Sequence, residues 1–203
     1  MTATSDHAAG WDPFALLLID VQQDFWTEAM NVAFPDYADR VAALLQLCRH
    51  EAIDVIHLRA KFAEDQSDWM VKYLFRDGIP CIAGTPGEQV FDYAQDIADE
   101  KVIVKQAFDG FLNPELATHL AANNKRYLLV AGLVTSVCVL LTAASAAQRG
   151  YLVSVVADCC ADNPEAHVQT LEHYPFIFGQ TTIDRIVAER DGWAAELAQL
   201  PVS

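Results

Sequence analysis

Positive charge is scarce in this chain. Thirteen Lys and Arg stand against 28 Asp and Glu, giving a formal net charge of −15 over 203 residues. A surface this acidic repels phosphate backbones and anionic lipid, so nucleic-acid and membrane partners are disfavoured. No uninterrupted membrane-length apolar run occurs. The most apolar window, Tyr127 to Ala147, is broken by Gly132, Thr135, Ser136 and Thr142 and reads better as strand, turn and helix. "MTATSDHAAGWDPF" lacks a basic stretch followed by an apolar one, so no secretory signal is expected there. The five cysteines include no C-x-x-C pair, which gives no support to a zinc ribbon or thioredoxin-type site. Their odd number and the missing export signal fit reduced thiols in a cytoplasm. Internal repeats and low-complexity tracts are absent as well.

Slightly more than half of the residues are hydrophobic, enough for a sizeable core. Residues 1–13 read as a flexible arm and 14–203 as one domain. Continuous apolar runs mark strands at Phe14–Ile19, Ile53–Leu58, Val102–Val104, Arg126–Ala131 and Leu152–Ala157, with a shorter one at Phe176–Phe178. Continuous rather than alternating hydrophobicity indicates strands covered on both faces. Helical patterns lie between them. "DYADRVAALLQLCRHE" carries an apolar stripe, "NPELATHLAANN" and "NPEAHVQTLEHY" open with an Asn cap and a first-turn Pro, and a last helix spans about Gly192 to Leu200. The alternation predicts a three-layer α/β fold: a Rossmann-like parallel sheet of about six strands with helices on both faces. The stretch from Lys61 to Gly87 shows no clear strand and reads as a lid or substrate-contacting loop.

Three polar residues stand at the ends of apolar runs: Asp20 after "ALLLI", Lys105 after "VIV", and Cys138 just past "LLVAG". In an open parallel sheet the carboxyl ends of the strands are where ligands bind. Alone, the aspartate is a turn residue, the lysine a solvated surface group and the cysteine a small core hydrophobe. Together they supply a thiol nucleophile, a carboxylate able to take its proton, and an ammonium beside both.

These segments resemble the isochorismatase-like cysteine hydrolase family. The resemblance rests on "LLLIDVQQDF", "HLRA", "GTPGEQVF", "VIVKQAFDGF", "LLVAGLVTSVCVLLTAASAAQRGYLVSVVADCCAD" and "EAHVQTLEHY", from about Phe14 to Ile186. It implies Asp20 as general base and acid, Lys105 as the group that lowers the thiol pKa, and Cys138 as the nucleophile. It also implies a cis peptide at Leu133–Val134 and an oxyanion hole from the backbone N–H groups of Val134 and Cys138. Members that keep this cysteine mostly hydrolyse C–N bonds, so the expected reaction is hydrolysis of a small amide or ureide through a thioester. Vinyl-ether hydrolysis is the alternative, and a non-catalytic small-molecule binder a second one. A metal-dependent branch resembles this chain less well. His57 in "DVIHLRAKFAEDQSDW" has no partner at ligand spacing, so neither metal nor cofactor is expected. Phe25, Trp26, Trp69, Tyr73 and Phe111 are candidate pocket walls, and core packing is as good a reading of each. Arg59 is open between a substrate carboxylate and a structural ion pair. Cys159 and Cys160 read as buried, and His167 as structural. The apolar helix after Cys138 needs cover, and family members are commonly dimers or tetramers, so a homo-oligomer is expected.

Overall fold

The computed structural model describes residues 10–201. Six continuous stretches of chain pair into one all-parallel sheet: β1 (Phe14–Ile19), β2 (Asp54–Ala60), β3 (Lys101–Lys105), β4 (Tyr127–Leu133), β5 (Leu152–Ala161) and β6 (Gly179–Thr181). Their spatial order is β3-β2-β1-β4-β5-β6. All of β1 and β4 is buried, which explains why these central strands are apolar at every position. The chain winds outward from β1 on one side and from β4 on the other. The strand order therefore reverses between β1 and β4, the point where such sheets open a crevice at their carboxyl ends.

Helices α1 (Glu28–Ala33), α2 (Tyr37–Glu51), α3 (Pro114–Ala122), α4 (Leu140–Gln148), α5 (Pro164–His173) and α6 (Ile186–Ala198) surround the sheet. Helix α2 buries the stripe Tyr37, Val41, Leu44, Leu45 and Cys48, and Ala52 ends it in the left-handed conformation. Asn113 and Asn163 cap α3 and α5: each side-chain oxygen accepts from the amide two residues on, with proline at the first helical position.

Two expectations need correction. The sixth strand lies at Gly179–Thr181, not Phe176–Phe178. Phe178 is buried but Phe176 is 81% exposed, so that apolar run is a turn, and the edge strand itself is short and polar. Helix α6 begins at Ile186, six residues before the expected start. Gly192 sits inside it, where an added Cβ would meet nothing within 4 Å. Helix α1 had no forecast. Most of the expected arm lies outside the described residues, but Trp11 is buried against Phe14, and its Nε1 donates to Glu51 Oε2 at 3.0 Å. Helix α4 finds much of its cover within the chain, against β5 and the turn Gly110–Leu112, and leaves Leu141 exposed. Among the described residues no helix is long and apolar enough to cross a membrane.

Candidate active site

Asp20 is the first residue past β1. Its backbone takes φ 51°, in the left-handed region, while its N–H donates to Leu58 O at 2.8 Å. The chain thus stays tied to β2 as it turns away from the sheet. Cys138 follows β4 across the reversal point, within a π turn (Thr135–Val139) that leads into α4. Lys105 closes β3, two strands from β1. Strands lie about 4.8 Å apart, so only a long side chain from that position can reach the crevice. It does: Lys105 Nζ donates to Asp20 Oδ2 at 2.7 Å and to Ala107 O at 2.8 Å, and lies 3.7 Å from Cys138 Sγ. The three residues picked from strand ends form one cluster.

The cluster is closed. Asp20, Lys105 and Cys138 are 0%, 1% and 3% exposed. Burial pushes the Lys105 ammonium down, but Asp20 and Cys138 together outweigh it and hold its pKa above the ordinary lysine value. The Cys138 thiol is pushed well up, first by burial and then by the Asp20 carboxylate. Lys105 lowers it, as expected, without reversing the sum. Held above its ordinary value of 9.0, the thiol is the neutral form at pH 7, as a nucleophile whose proton a neighbouring carboxylate takes would be. Asp20 Oδ1 is buried without a hydrogen-bond partner, which leaves one carboxylate oxygen uncommitted.

The nucleophile turn is fixed from outside. Asp162 Oδ2 accepts from Ser136 N (2.8 Å) and Ser136 Oγ (2.6 Å), while Thr135 Oγ1 meets His167 Nδ1 at 2.8 Å. The Leu133–Val134 peptide is cis. Gly132, at φ 120°, passes so close to β1 that an added Cβ would stand 2.0 Å from Ile19 O. Any side chain there would part the two strands that carry Asp20 and Cys138.

The segment 61–87 covers the site. It contains short turns at Val71–Phe75 and Pro86–Glu88, and Phe62 pairs with Ile82 in an isolated bridge. Phe62, Tyr73 and Cys81 form a small buried cluster with Ala60, against which Phe25, Trp69 and Phe108 pack. Tyr73 makes edge contacts with Phe62 and Phe108. Burial first, and then Cys138, raise its phenol pKa. Gln22 ties this cover to the sheet: its Nε2 donates to Ala60 O and Glu88 O, both at 2.8 Å, and its Oε1 accepts from Ala60 N. Asp24 Oδ2 accepts from Cys81 N at 2.8 Å.

Phe25, Trp69 and Tyr73 thus lie in the covering cluster. Phe111 does not belong with them. It packs on Tyr151 and under the Arg149 guanidinium, beyond the far end of α4. Phe108, three residues past Lys105, takes the place expected for it. Trp26 stacks on Tyr37, meets the Phe91 ring edge-on and donates to Asn31 Oδ1. His57 is buried and meets Glu100 Oε2 at 2.9 Å, and Glu100 also takes two bonds from Arg49. Arg59 is engaged by Asp96 at 2.6 Å. Among the described residues no group of three or more His, Cys, Asp or Glu is placed to hold a metal ion. Cys159 and Cys160 are buried free thiols. Phe62, Phe108, Gln22, Cys81 and Asp162 had no assigned role, because their partners are remote in sequence and carry no spacing signal. A cavity of about 580 Å³, lined by Gln22, Arg59, Lys61 and Glu88 among others, lies beside the cover and includes none of the three clustered residues. The chemistry argues for the cluster, not that cavity, as the site.

A six-stranded parallel sheet bearing acid, ammonium and thiol at its carboxyl edge is a three-layer α/β arrangement with a candidate nucleophile at the strand-order reversal. The isochorismatase domain family model matches residues 14–182, and this chain belongs to that family. It is 28% identical over 169 residues to the uncharacterized isochorismatase family protein YddQ of Bacillus subtilis, covering 81% of this chain and 88% of that one. Maleamate amidohydrolase of Pseudomonas putida is 28% identical over 156 residues, 73% of this chain and 72% of its own. The crystal structure of an isochorismatase family protein from Desulfovibrio vulgaris superposes with a TM-score of 0.79 at 26% identity, covering 90% of this chain and 98% of that one.

Proposed function

We propose that this protein hydrolyses the C–N bond of a small amide or ureide through a cysteine thioester. One observation carries the reading: Lys105 Nζ joins Asp20 and Cys138, from three separate strand ends, in a single buried contact. The likeness to a maleamate amidohydrolase supports the same class of bond.

The reaction follows from the charges. As Cys138 Sγ adds to the substrate carbonyl carbon, the Asp20 carboxylate takes the thiol proton. A neutral resting thiol fits this order, because the thiolate forms only as the carbon–sulfur bond does. Lys105 stays charged and balances the anionic pair. The carbonyl oxygen becomes an oxyanion facing the N–H groups of Val134 and Cys138, each such contact being worth about 3–4 kcal/mol. Collapse breaks the C–N bond, and Asp20 returns its proton to the leaving nitrogen. Water, deprotonated by Asp20, then adds to the thioester. Carbon–sulfur cleavage releases the carboxylic acid, and the thiol regains its proton. One amide and one water give one acid and one amine. With the triad at most 3% exposed, substrate enters by displacement of the cover around Tyr73 and Cys81.

The test is ammonia release from a panel of amides and ureides, with Cys138→Ala and Cys138→Ser alongside the parent. Each variant is expected to fold normally and to lose at least about a thousandfold in turnover. Full activity in either would eliminate the covalent step.

A further inference from the structure

Strand β5 changes register against β4 on its way to the nucleophile turn. Val130 stands opposite Val155, but Gly132 stands opposite Cys160 and Leu133 opposite Ala161. The residues between form a bulge in β5, and bulges beside active sites re-aim side chains. This one delivers Asp162, the first residue past β5, to the point where β4 leaves the sheet. The ladder ends there at the Leu133–Ala161 pair, and a carboxylate takes over. Asp162 Oδ2 accepts from Ser136 N at 2.8 Å and from Ser136 Oγ at 2.6 Å, while Oδ1 accepts from Asn163 N at 2.7 Å. Asp162 is 8% exposed, and hydrogen bonds to a carboxylate are about twice as strong as those between neutral groups.

The turn that Asp162 grips is closed on itself. Val134 O accepts from Val137 N at 3.1 Å and from Val139 N at 3.3 Å, so the residues on both sides of Cys138 are tied back to Val134. Those bonds fix the shape of the turn and leave its tilt against the sheet to outside partners. Among the described residues, Asp162 is the one ionised group outside the Asp20–Lys105–Cys138 cluster that bonds it, with the Thr135–His167 contact beside it. We propose that Asp162 is a positioning residue. By holding Ser136 it aims the N–H groups of Val134 and Cys138 at the oxygen of a carbonyl that adds to Cys138. The role of those N–H groups rests on the amide-hydrolase reading above. The hold on Ser136 does not.

The oxyanion is measurable without turnover. Propionaldehyde adds reversibly to a thiol: the carbon–sulfur bond forms, Asp20 takes the thiol proton, and the carbonyl oxygen is an oxyanion until a proton makes it a hydroxyl. Iodoacetamide alkylates the same sulfur at a methylene carbon, with loss of iodide, and forms no oxyanion. Protection of Cys138 by propionaldehyde against iodoacetamide, read by peptide mass spectrometry, therefore separates the two. Asp162→Ala is expected to weaken protection about tenfold and to change the alkylation rate without aldehyde by less than about threefold. Asp162→Asn keeps an acceptor oxygen and should keep most of the protection. Ser136→Ala removes only the Oγ bond and should weaken protection about threefold, which decides the matter if Asp162→Ala yields no folded protein. An equal fall of protection and alkylation in Asp162→Ala overturns the proposal, because it marks mere support of the fold. So does unaltered protection in that variant or, where it does not fold, in Ser136→Ala. Asp162→Asn as weak as Asp162→Ala, or no protection in the parent, overturns it too. Protection lost in Asp162→Ala, with no amide cleaved by the parent, supports the positioning role and counts against the amide reading alone.

Discussion

Replacing Lys105 with methionine keeps most of the side-chain length and removes the charge. Both members of the Asp20–Lys105 pair are essentially unexposed, at 0% and 1%. The variant would strand a buried carboxylate whose Oδ1 already lacks a partner and whose Oδ2 loses its 2.7 Å bond. Breaking a buried pair by removing one member costs about 3–5 kcal/mol. With a urea slope of about 2–3 kcal/mol/M, the unfolding midpoint should fall by about 1–2.5 M, measured by circular dichroism at pH 7. Adding Asp20→Asn to Lys105→Met removes the stranded charge and is expected to recover more than half of the loss. A cost below about 1 kcal/mol is what a solvated surface pair gives. That result, or a double variant weaker than Lys105→Met alone, would show that the pair is not the desolvated unit described.

Other consequences are as direct. Because burial and Asp20 hold the Cys138 thiol above its ordinary value of 9.0, its alkylation rate by iodoacetamide should still be climbing past pH 9. A plateau near pH 7 would reveal a preformed thiolate and contradict the order of proton transfer. Gly132→Ala drives a Cβ into Ile19 O and should cost more than about 4 kcal/mol or yield no soluble protein, whereas Gly192→Ala, in open space within α6, should be neutral or stabilising. Equal behaviour of the two alanine variants would mean that β1 and β4 separate without penalty. Burial lowers the pKa of His57 and of His167. Each binds a proton more readily unfolded than folded, so their contribution is complete above about pH 6.5 and is lost as pH falls through the lower folded values. The urea midpoint should drop from pH 7 to pH 5, less steeply in His57→Gln. An identical slope in that variant would remove His57 from the account.

Much of the architecture is legible in the chain itself. Central strands buried on both faces must be apolar at every position, so β1 and β4 announce themselves, and the Asn-Pro starts of α3 and α5 are local chemistry. Edge elements escape because their pattern is set by what they leave uncovered: β6 is polar, and the apolar Phe176–Phe178 beside it is a turn. The same division runs through the site. Asp20, Lys105 and Cys138 are readable because a polar residue at the end of an apolar run is a one-dimensional signal. Their order in the sheet, the reach of Lys105 across two strands and the protonation of the thiol depend on burial and distance, which only the folded chain provides. Phe111 and Phe108 differ by three positions in sequence and by the whole length of α4 in what they touch. Tyr73 and Cys81 gain their neighbours Ala60 and Phe62 only once the segment that carries them folds back against the end of β2. Local sequence dictated the strands and the identities of the reacting groups. Tertiary packing decided their charge states and their surroundings, because desolvation is a property of neighbours brought together by the fold.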